Sequence, residues 1–223
     1  MSKKLAIIHT TPVTVDSLKK LANEKVPGVE VVNFVDDSIL PQLIDNGGNV
    51  EEVENRLIQY AKFAEQVGAD IVLNACSSVG EVVTKMRDNL AIPVVRIDEV
   101  MAKKAIESGD KIGVVATLAT TLNPTMNLLK EKANALNKSV ELLSEVAKES
   151  YQLLLSGNQE GHDTTLAKVL KEMAEKTDVV VLAQASMARV VATLPVELRG
   201  KFLSSPELGM DSVSHLLKKV AYK

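Results

Sequence analysis

Residues 4–14 read KLAIIHTTPVT and residues 111–121 read KIGVVATLATT. Each is a short continuous apolar run that breaks off into hydroxyl-bearing residues. Such a run does not alternate, so it suits a strand buried on both faces, as in a parallel sheet covered by helices. A second pair repeats at almost the same spacing: residues 72–83, VLNACSSVGEVV, and residues 181–192, VLAQASMARVVA. The two offsets, 107 and 109 residues, predict a pair of related α/β units of about a hundred residues each, an ordinary domain size.

Outward from these runs, strands are expected at Leu5–His9, Val29–Phe34, Ile71–Asn74, Val94–Ile97, Ile112–Ala116, Val140–Leu143, Val179–Leu182 and Lys201–Leu203. Amphipathic stretches fill the gaps: Val15–Asn23, Glu51–Val67, Val79–Leu90, Val100–Glu107, Thr125–Leu136, Ala147–Leu155, Thr165–Glu175, Met187–Ala192 and Asp211–Val220. Ser78 to Glu81 reads as a capping box ahead of the third helix, and Asn123-Pro124 reads as a cap with proline at the first helical position of the fifth. The expectation is an α/β fold of two pseudo-symmetric units, with parallel sheets flanked by helices and an active-site cleft between them. Residues 1–97 form the first unit and residues 98–206 the second. By the internal offset, the last helix, within residues 207–223, returns to pack on the first unit.

Composition narrows the function. The 26 Lys+Arg against 29 Asp+Glu give a net charge of −3, and aromatics make up 3%. That leaves neither a phosphate-neutralising field nor a stacking platform, so nucleic acid is not an expected partner. One cysteine excludes an intrachain disulfide and a cysteine-rich metal site. No HExxH and no histidine cluster suggests a metal, and GxGxxG and GxxxxGK[ST] are both missing, which disfavours a nucleotide-binding enzyme. No apolar run reaches membrane-spanning length and the MSKK start leads straight into a strand, so a cytoplasmic protein with no membrane association is expected.

In open parallel sheets, ligands collect at the carboxyl ends of strands, where helix N-termini point. The loops there read His9-Thr10-Thr11-Pro12, Asn74-Ala75-Cys76-Ser77-Ser78, Thr117-Leu118-Ala119-Thr120-Thr121 and Gln184-Ala185-Ser186. A lone cysteine is most often an inert buried side chain. Cys76, however, follows a strand among polar neighbours, two residues before the expected cap Ser78. There, free N–H groups and the helix dipole favour thiolate over thiol. Any one of Thr10, Thr11, Thr117, Thr120 and Thr121 reads as turn or cap chemistry. Together with Ser77 and Ser186 they form a surface of neutral donors suited to a carboxylate. His9 ends the first strand and is a candidate contact. His162, in a Gly-flanked loop, and His215, on the last helix, read as surface or cap residues.

These features resemble the aspartate/glutamate racemase superfamily, which includes aspartate, glutamate and hydantoin racemases, maleate isomerase and arylmalonate decarboxylase. The resemblance spans nearly the whole chain. It rests on the duplicated units, the loop Asn74-Ala75-Cys76-Ser77-Ser78 and the run Gly113 to Thr121 that opens the second unit. It implies cofactor-free chemistry at the carbon next to the carboxylate of a small carboxylic or amino acid, and a homo-oligomer. Cys76 would be the catalytic residue. Asn74, Ser77 and Ser78 would contact substrate, with His9, Thr11, Thr117, Thr120, Thr121, Gln184 and Ser186 as further substrate-binding residues and no metal. The racemases of this superfamily carry one cysteine in each unit, but here the second loop has none. The internal alignment sets Ala185 opposite Cys76, whereas alignment to the family would choose Gln184. Neither side chain exchanges a proton near neutral pH. The expected chemistry is therefore that of a racemase or isomerase with a single cysteine. The alternatives are decarboxylation of a malonate-type acid, or a non-catalytic small-carboxylate-binding protein.

Overall fold

A computed structural model describes residues 2–220. Eight strands form two four-stranded sheets: β1 Lys4–His9, β2 Glu30–Val35, β3 Ile71–Asn74 and β4 Val94–Arg96 in one, and β5 Lys111–Ala116, β6 Glu141–Val146, β7 Val179–Leu182 and β8 Phe202–Leu203 in the other. All neighbouring strands run parallel, in the orders β2-β1-β3-β4 and β6-β5-β7-β8. The shared strand order is the structural form of the sequence duplication. The helices are α1 Val15–Lys25, α2 Ile39–Asp45, α3 Glu51–Gln66, α4 Val82–Asn89, α5 Glu99–Ser108, α6 Ala119–Ala135, α7 Lys148–Leu155, α8 Gln159–Lys176, α9 Ala188–Val191, α10 Val196–Arg199 and α11 Ser205–Val220. None of these helices is long and apolar enough to cross a membrane. The α/β class with two helix-flanked parallel sheets is as the sequence predicts.

The chain divides into two compact units. The first runs up to Asp98 and takes in the C-terminal helix from Pro206, and the second is Glu99–Ser205. Alternate residues along the strands of the first unit face opposite layers, as the period of a strand requires. Ala6, Ile8 and Val72 pack with Leu43 of α2, Leu57 and Ala61 of α3 and Met86 of α4. Leu5, Ile7, Ile71 and Leu73 pack with Leu18 and Ala22 of α1 and with Met210, Val213 and Leu217 of α11. Burying both faces explains why β1 and β3 read as unbroken apolar runs; each large aliphatic side chain so buried contributes about 1.5–3 kcal/mol. Ionic and polar contacts add to the docking of α11: Lys25 pairs with Asp211 at 2.9 Å, and Ser214 donates to the Lys25 carbonyl. In the second unit, Val115, Val180 and Leu182 pack with Leu166, Leu170 and Ala174 of α8.

Three sequence expectations are corrected here. The helix expected over Val79–Leu90 begins at Val82, behind a separate 3-10 turn Ser77–Val79, and no side chain caps it, so the capping box does not form. Gly80, at the end of that turn, lies against the Arg96 guanidinium, where a Cβ would overlap it. The helix expected from Thr125 begins at Ala119 and carries Pro124 inside it. Proline lacks the donor for the Thr120 carbonyl, a local cost. The buried stripe Thr121, Thr125, Leu128 and Leu129 nevertheless continues to both sides of it, and packing of that stripe decides where the helix begins. Finally, His162 lies in no loop. It is a buried residue of α8, and its Nδ1–H donates to the Ser150 carbonyl at 2.8 Å. Asn158 caps this helix by accepting from the Gly161 N–H, which starts α8 six residues earlier than the sequence pattern suggests. His215 is exposed on α11, in line with a surface role.

Candidate active site

In the first unit the predicted residues gather at the carboxyl ends of two adjacent strands. β1 ends at His9 and β3 at Asn74, and the strands pair in register with Ile8 opposite Asn74. The Ala75 N–H adds one more ladder bond, to the Ile8 carbonyl at 3.0 Å. Cys76 is the next residue. It is half-buried, in extended conformation (φ −120°, ψ 117°), and heads the turn Ser77–Val79. One side of it packs against the apolar layer of Val79, Val82 and Met86. Asn74 is fully buried beneath it: its amide Nδ2 donates to the Cys76 carbonyl at 3.1 Å, while its Oδ1 has no hydrogen-bond partner. The amide therefore grips the backbone of the cysteine. Ser77 and Ser78 are buried in the turn.

His9 is also fully buried. Its Nε2 lies 3.0 Å from Asn33 Oδ1 and its Nδ1 2.8 Å from Thr14 Oγ1. The amide oxygen only accepts, so the ring carries its proton on Nε2 and takes the Thr14 hydroxyl proton at Nδ1. Burial pushes the imidazole below its ordinary value of 6.5, against a smaller opposing effect of the Asn33 bond. His9 thus ties the end of β1 to β2 and to the turn that follows, and both its nitrogens are occupied by protein groups. Thr11, half-buried, caps the 3-10 turn Pro12–Thr14 by accepting from the Val13 N–H at 3.4 Å. The lowered pKa has a consequence for stability. As pH falls below 6.5, the unfolded chain binds the proton before the folded one does, so stability that is full above 6.5 is lost progressively below it. Urea unfolding across that range should show a steeper acid loss for wild type than for His9→Gln, and equal slopes would rule His9 out as the cause.

In the second unit the corresponding ladder bond is Ala183 N–H to the Val115 carbonyl at 3.0 Å. Ala183 therefore stands where Ala75 does, and the next residue, Gln184, stands where Cys76 does. Its backbone is also extended (φ −130°, ψ 133°), and it heads the equivalent turn Ala185–Met187. The two alignments left open by sequence are resolved in favour of Gln184. Its Oε1 accepts from the Thr117 N–H at 2.7 Å and from the Thr117 hydroxyl at 3.1 Å. Thr120 and Thr121 lie in the first turn of α6. Thr121 is buried, and Thr120 Oγ1 is buried without a partner. Ser186 is exposed.

One group went unforeseen. Arg96, at the end of β4 and in register with Asn74, forms a bidentate pair with Asp98, Nε–Oδ1 at 2.6 Å and Nη2–Oδ2 at 3.2 Å. Arg96 is 7% exposed and Asp98 not at all. The Arg-Ile-Asp spacing at a strand end is visible in the sequence, but nothing local says that the two side chains turn inward together. Among the described residues, no cluster of His, Cys, Asp and Glu is arranged to hold a metal ion.

With this geometry established, the likeness to known proteins is informative. The fold is shared with a glutamate racemase from Bacillus anthracis (16% identity, TM-score 0.77, 97% of this chain and 82% of that one). It is shared too with a Picrophilus torridus aspartate racemase (15%, 0.73, 99% and 95%) and an allantoin racemase from Klebsiella pneumoniae (17%, 0.65, 98% and 89%). At such identities the likeness concerns the fold alone. The model of one protein family, Asp/Glu/hydantoin racemase, matches residues 7–212. That match covers nearly the whole chain, both strand-end loops included, and the chain therefore belongs to the Asp/Glu/hydantoin racemase family.

Proposed function

We propose that this protein moves a proton at the carbon next to the carboxylate of a small acid, without a cofactor and with Cys76 as its one acid/base. The Cys76 thiolate takes the C2 proton and becomes a thiol. The electron pair of the C–H bond passes into the carboxylate, giving an enediolate, and return of a proton from sulfur to C2 regenerates the thiolate. The dianionic enediolate needs donors positioned for the charge it develops. Thr11, Ser77 and Ser78, which share the strand ends of the first unit with Cys76, are assigned to that task. Asn74 holds the Cys76 backbone in place from below, and His9 stiffens the end of β1. The protein is taken to work in the cytoplasm and as a homo-oligomer.

The observation that carries this reading is the placement of Cys76, half-buried directly after the last ladder bond of β3, in a chain of the racemase family. Gln184, its counterpart, has no proton to give or take near neutral pH. The exchange should therefore be one-sided, returning deuterium to the face from which hydrogen left. The same feature favours a second reading, decarboxylation of a malonate-type acid. There the C–C bonding pair stays on C2 as CO2 leaves, and the Cys76 thiol protonates the resulting enolate.

The test is incubation of the protein in D2O with 2-hydroxy, 2-amino and dicarboxylic acids, followed by proton NMR. Deuterium at C2 without change of configuration supports the first reading, and release of CO2 supports the second. Binding without either change would make the protein a carboxylate binder and overturn both.

A further inference from the structure

One buried titratable group of the second unit takes no part in the reaction proposed above. His162 of α8 is 3% exposed, and its Nδ1 meets the Ser150 backbone carbonyl of α7 at 2.8 Å. A carbonyl oxygen only accepts, so the hydrogen of the neutral ring sits on Nδ1 and Nε2 is left as a bare lone pair. That lone pair meets a second acceptor. Asp163 Oδ1 lies 3.8 Å from Nε2, beyond hydrogen-bond reach. The same oxygen has essentially no accessible surface and no hydrogen-bond partner. The Ser150 hydroxyl, also buried and unpaired, does not serve it. The other carboxylate oxygen, Oδ2, is held by the Arg189 guanidinium of α9.

A carboxylate oxygen shut off both from water and from every donor is costly, and so is a lone pair set against it. One proton on Nε2 removes both costs. The ring then has two N–H donors, one for the Ser150 carbonyl and one for Asp163 Oδ1. Closing the gap by about 1 Å gives a charge-assisted hydrogen bond of ordinary length. No other charge is placed to do this. The elements packed on α8 are α7, α9, β5 and β7. Nearby on α8 itself, Glu160 and Lys168 are exposed. On α7, Lys148 and Glu149 are exposed and Tyr151 is half-buried. The one charged residue of α9 is Arg189, β7 has none, and that of β5, Lys111, pairs with Glu141.

We propose that His162 and Asp163 form a proton-operated clasp: a proton taken from water at Nε2 is donated to Asp163 Oδ1, and the carboxylate then bridges His162 and Arg189, fastening α7, α8 and α9 to one another. The clasp is closed when the ring is charged and open when it is neutral, so the tie is present in acid and lost as pH rises through the titration of His162. Its reach extends to a strand end. α9 directly follows the turn Ala185–Met187, which is headed by Gln184, and Gln184 accepts from the Thr117 N–H. Proton occupancy at His162 therefore sets how firmly that turn is held. The clasp lies wholly within the second unit and rests on none of the catalytic assignments.

Global stability does not isolate this effect, because the burial of His9 works in the opposite direction. The measurement is local: NMR of the 15N-labelled protein between about pH 5 and 8, the range in which histidine changes charge. Ring 15N shifts show which nitrogens of His162 carry hydrogen, and hydrogen-exchange protection factors report on the amides of residues 185–191. As Nε2 gains its hydrogen, that protection should rise at least about tenfold, the worth of one hydrogen bond to a charged group, with the same midpoint as the ring. Asp163→Asn is nearly isosteric at a partly exposed position. Its amide NH2 can donate to the neutral Nε2 while its oxygen accepts from Arg189, so the clasp stays closed without a proton and the pH response of 185–191 should vanish. Arg189→Met, at an exposed position, keeps the contact of His162 with Asp163 but cuts the tie to α9. There His162 should still titrate while protection of 185–191 stays flat. A wild-type ring whose Nε2 stays bare down to pH 5 would overturn the proposal, as would one that gains its hydrogen with no change at 185–191. An equal pH response in all three proteins would overturn it too.

Discussion

Exchange of the C2 proton is expected to fall by a factor of about 10²–10⁴ when Cys76 is replaced by alanine, the usual worth of a positioned general acid/base. The protein has one cysteine, and no residue in the loops of the first unit can take its place. Both nitrogens of His9 are occupied by Thr14 and Asn33, and burial keeps the ring neutral. Ser77 and Ser78 are alcohols, far too weak as acids to hold a useful fraction of alkoxide. Cys76→Ser should therefore be almost as inactive as Cys76→Ala, although it is close in size. Both variants should unfold in urea within about 0.5 kcal/mol of wild type, since the side chain is half-buried and makes no hydrogen bond whose loss would strand a partner. Intact-mass measurement of alkylation offers an independent check, because only one thiol reports. Acids that bind should slow labelling in wild type. Retention of exchange in Cys76→Ala would take the sulfur out of the mechanism.

Asp98→Ala is expected to cost about 3–5 kcal/mol of folding stability, because it leaves the Arg96 guanidinium buried without its partner. Asp98 is fully buried and both its oxygens are bound by Arg96. The double replacement Arg96→Met with Asp98→Leu should recover most of that loss, since an apolar pair pays no desolvation penalty. The location gives the pair a second effect. The Arg96 guanidinium lies against Gly80, at the end of the turn headed by Cys76, and Arg96 is in register with Asn74, which holds the Cys76 carbonyl. In the double variant the turn loses the flat surface it rests on. The rate of Cys76 alkylation should then change even where stability is restored. Urea unfolding separates the first effect, and labelling kinetics the second. A stability loss under about 1 kcal/mol for Asp98→Ala would mean that the pair is solvated in solution.

These two residues also mark the limit of what local patterns reveal. Arg96 and Asp98 are charged, and charged residues at a strand end read as solvent contacts unless something shows that they meet. The turn Ser77–Val79 and the early start of α6 are hidden for a related reason. Capping and proline preferences are worth about 1–3 kcal/mol locally, and contacts with distant chain segments outweigh them. In α6 the buried stripe Thr121, Thr125, Leu128 and Leu129 sets the helix start ahead of Pro124. In the turn, the distant Arg96 guanidinium lies where a Cβ at position 80 would sit. The flanking glycines mark His162 as a loop residue, yet Asn158 caps α8 ahead of it and the Ser150 carbonyl accepts from its ring inside the helix layer.

The sequence alone determined the fold class, the duplication and the loops that carry polar residues at the strand ends. Burial on both sheet faces imposes unbroken apolar runs, and a run must stop where the chain leaves the sheet, so those boundaries are written locally. Only the tertiary structure decided that Gln184 rather than Ala185 answers to Cys76, which way its amide faces, and that Arg96 and Asp98 pair beneath the cysteine turn. Each of these depends on strand register, set by hydrogen bonds between segments far apart in the chain, and a shift of a single residue leaves the local apolar pattern almost unchanged while exchanging one side chain for its neighbour.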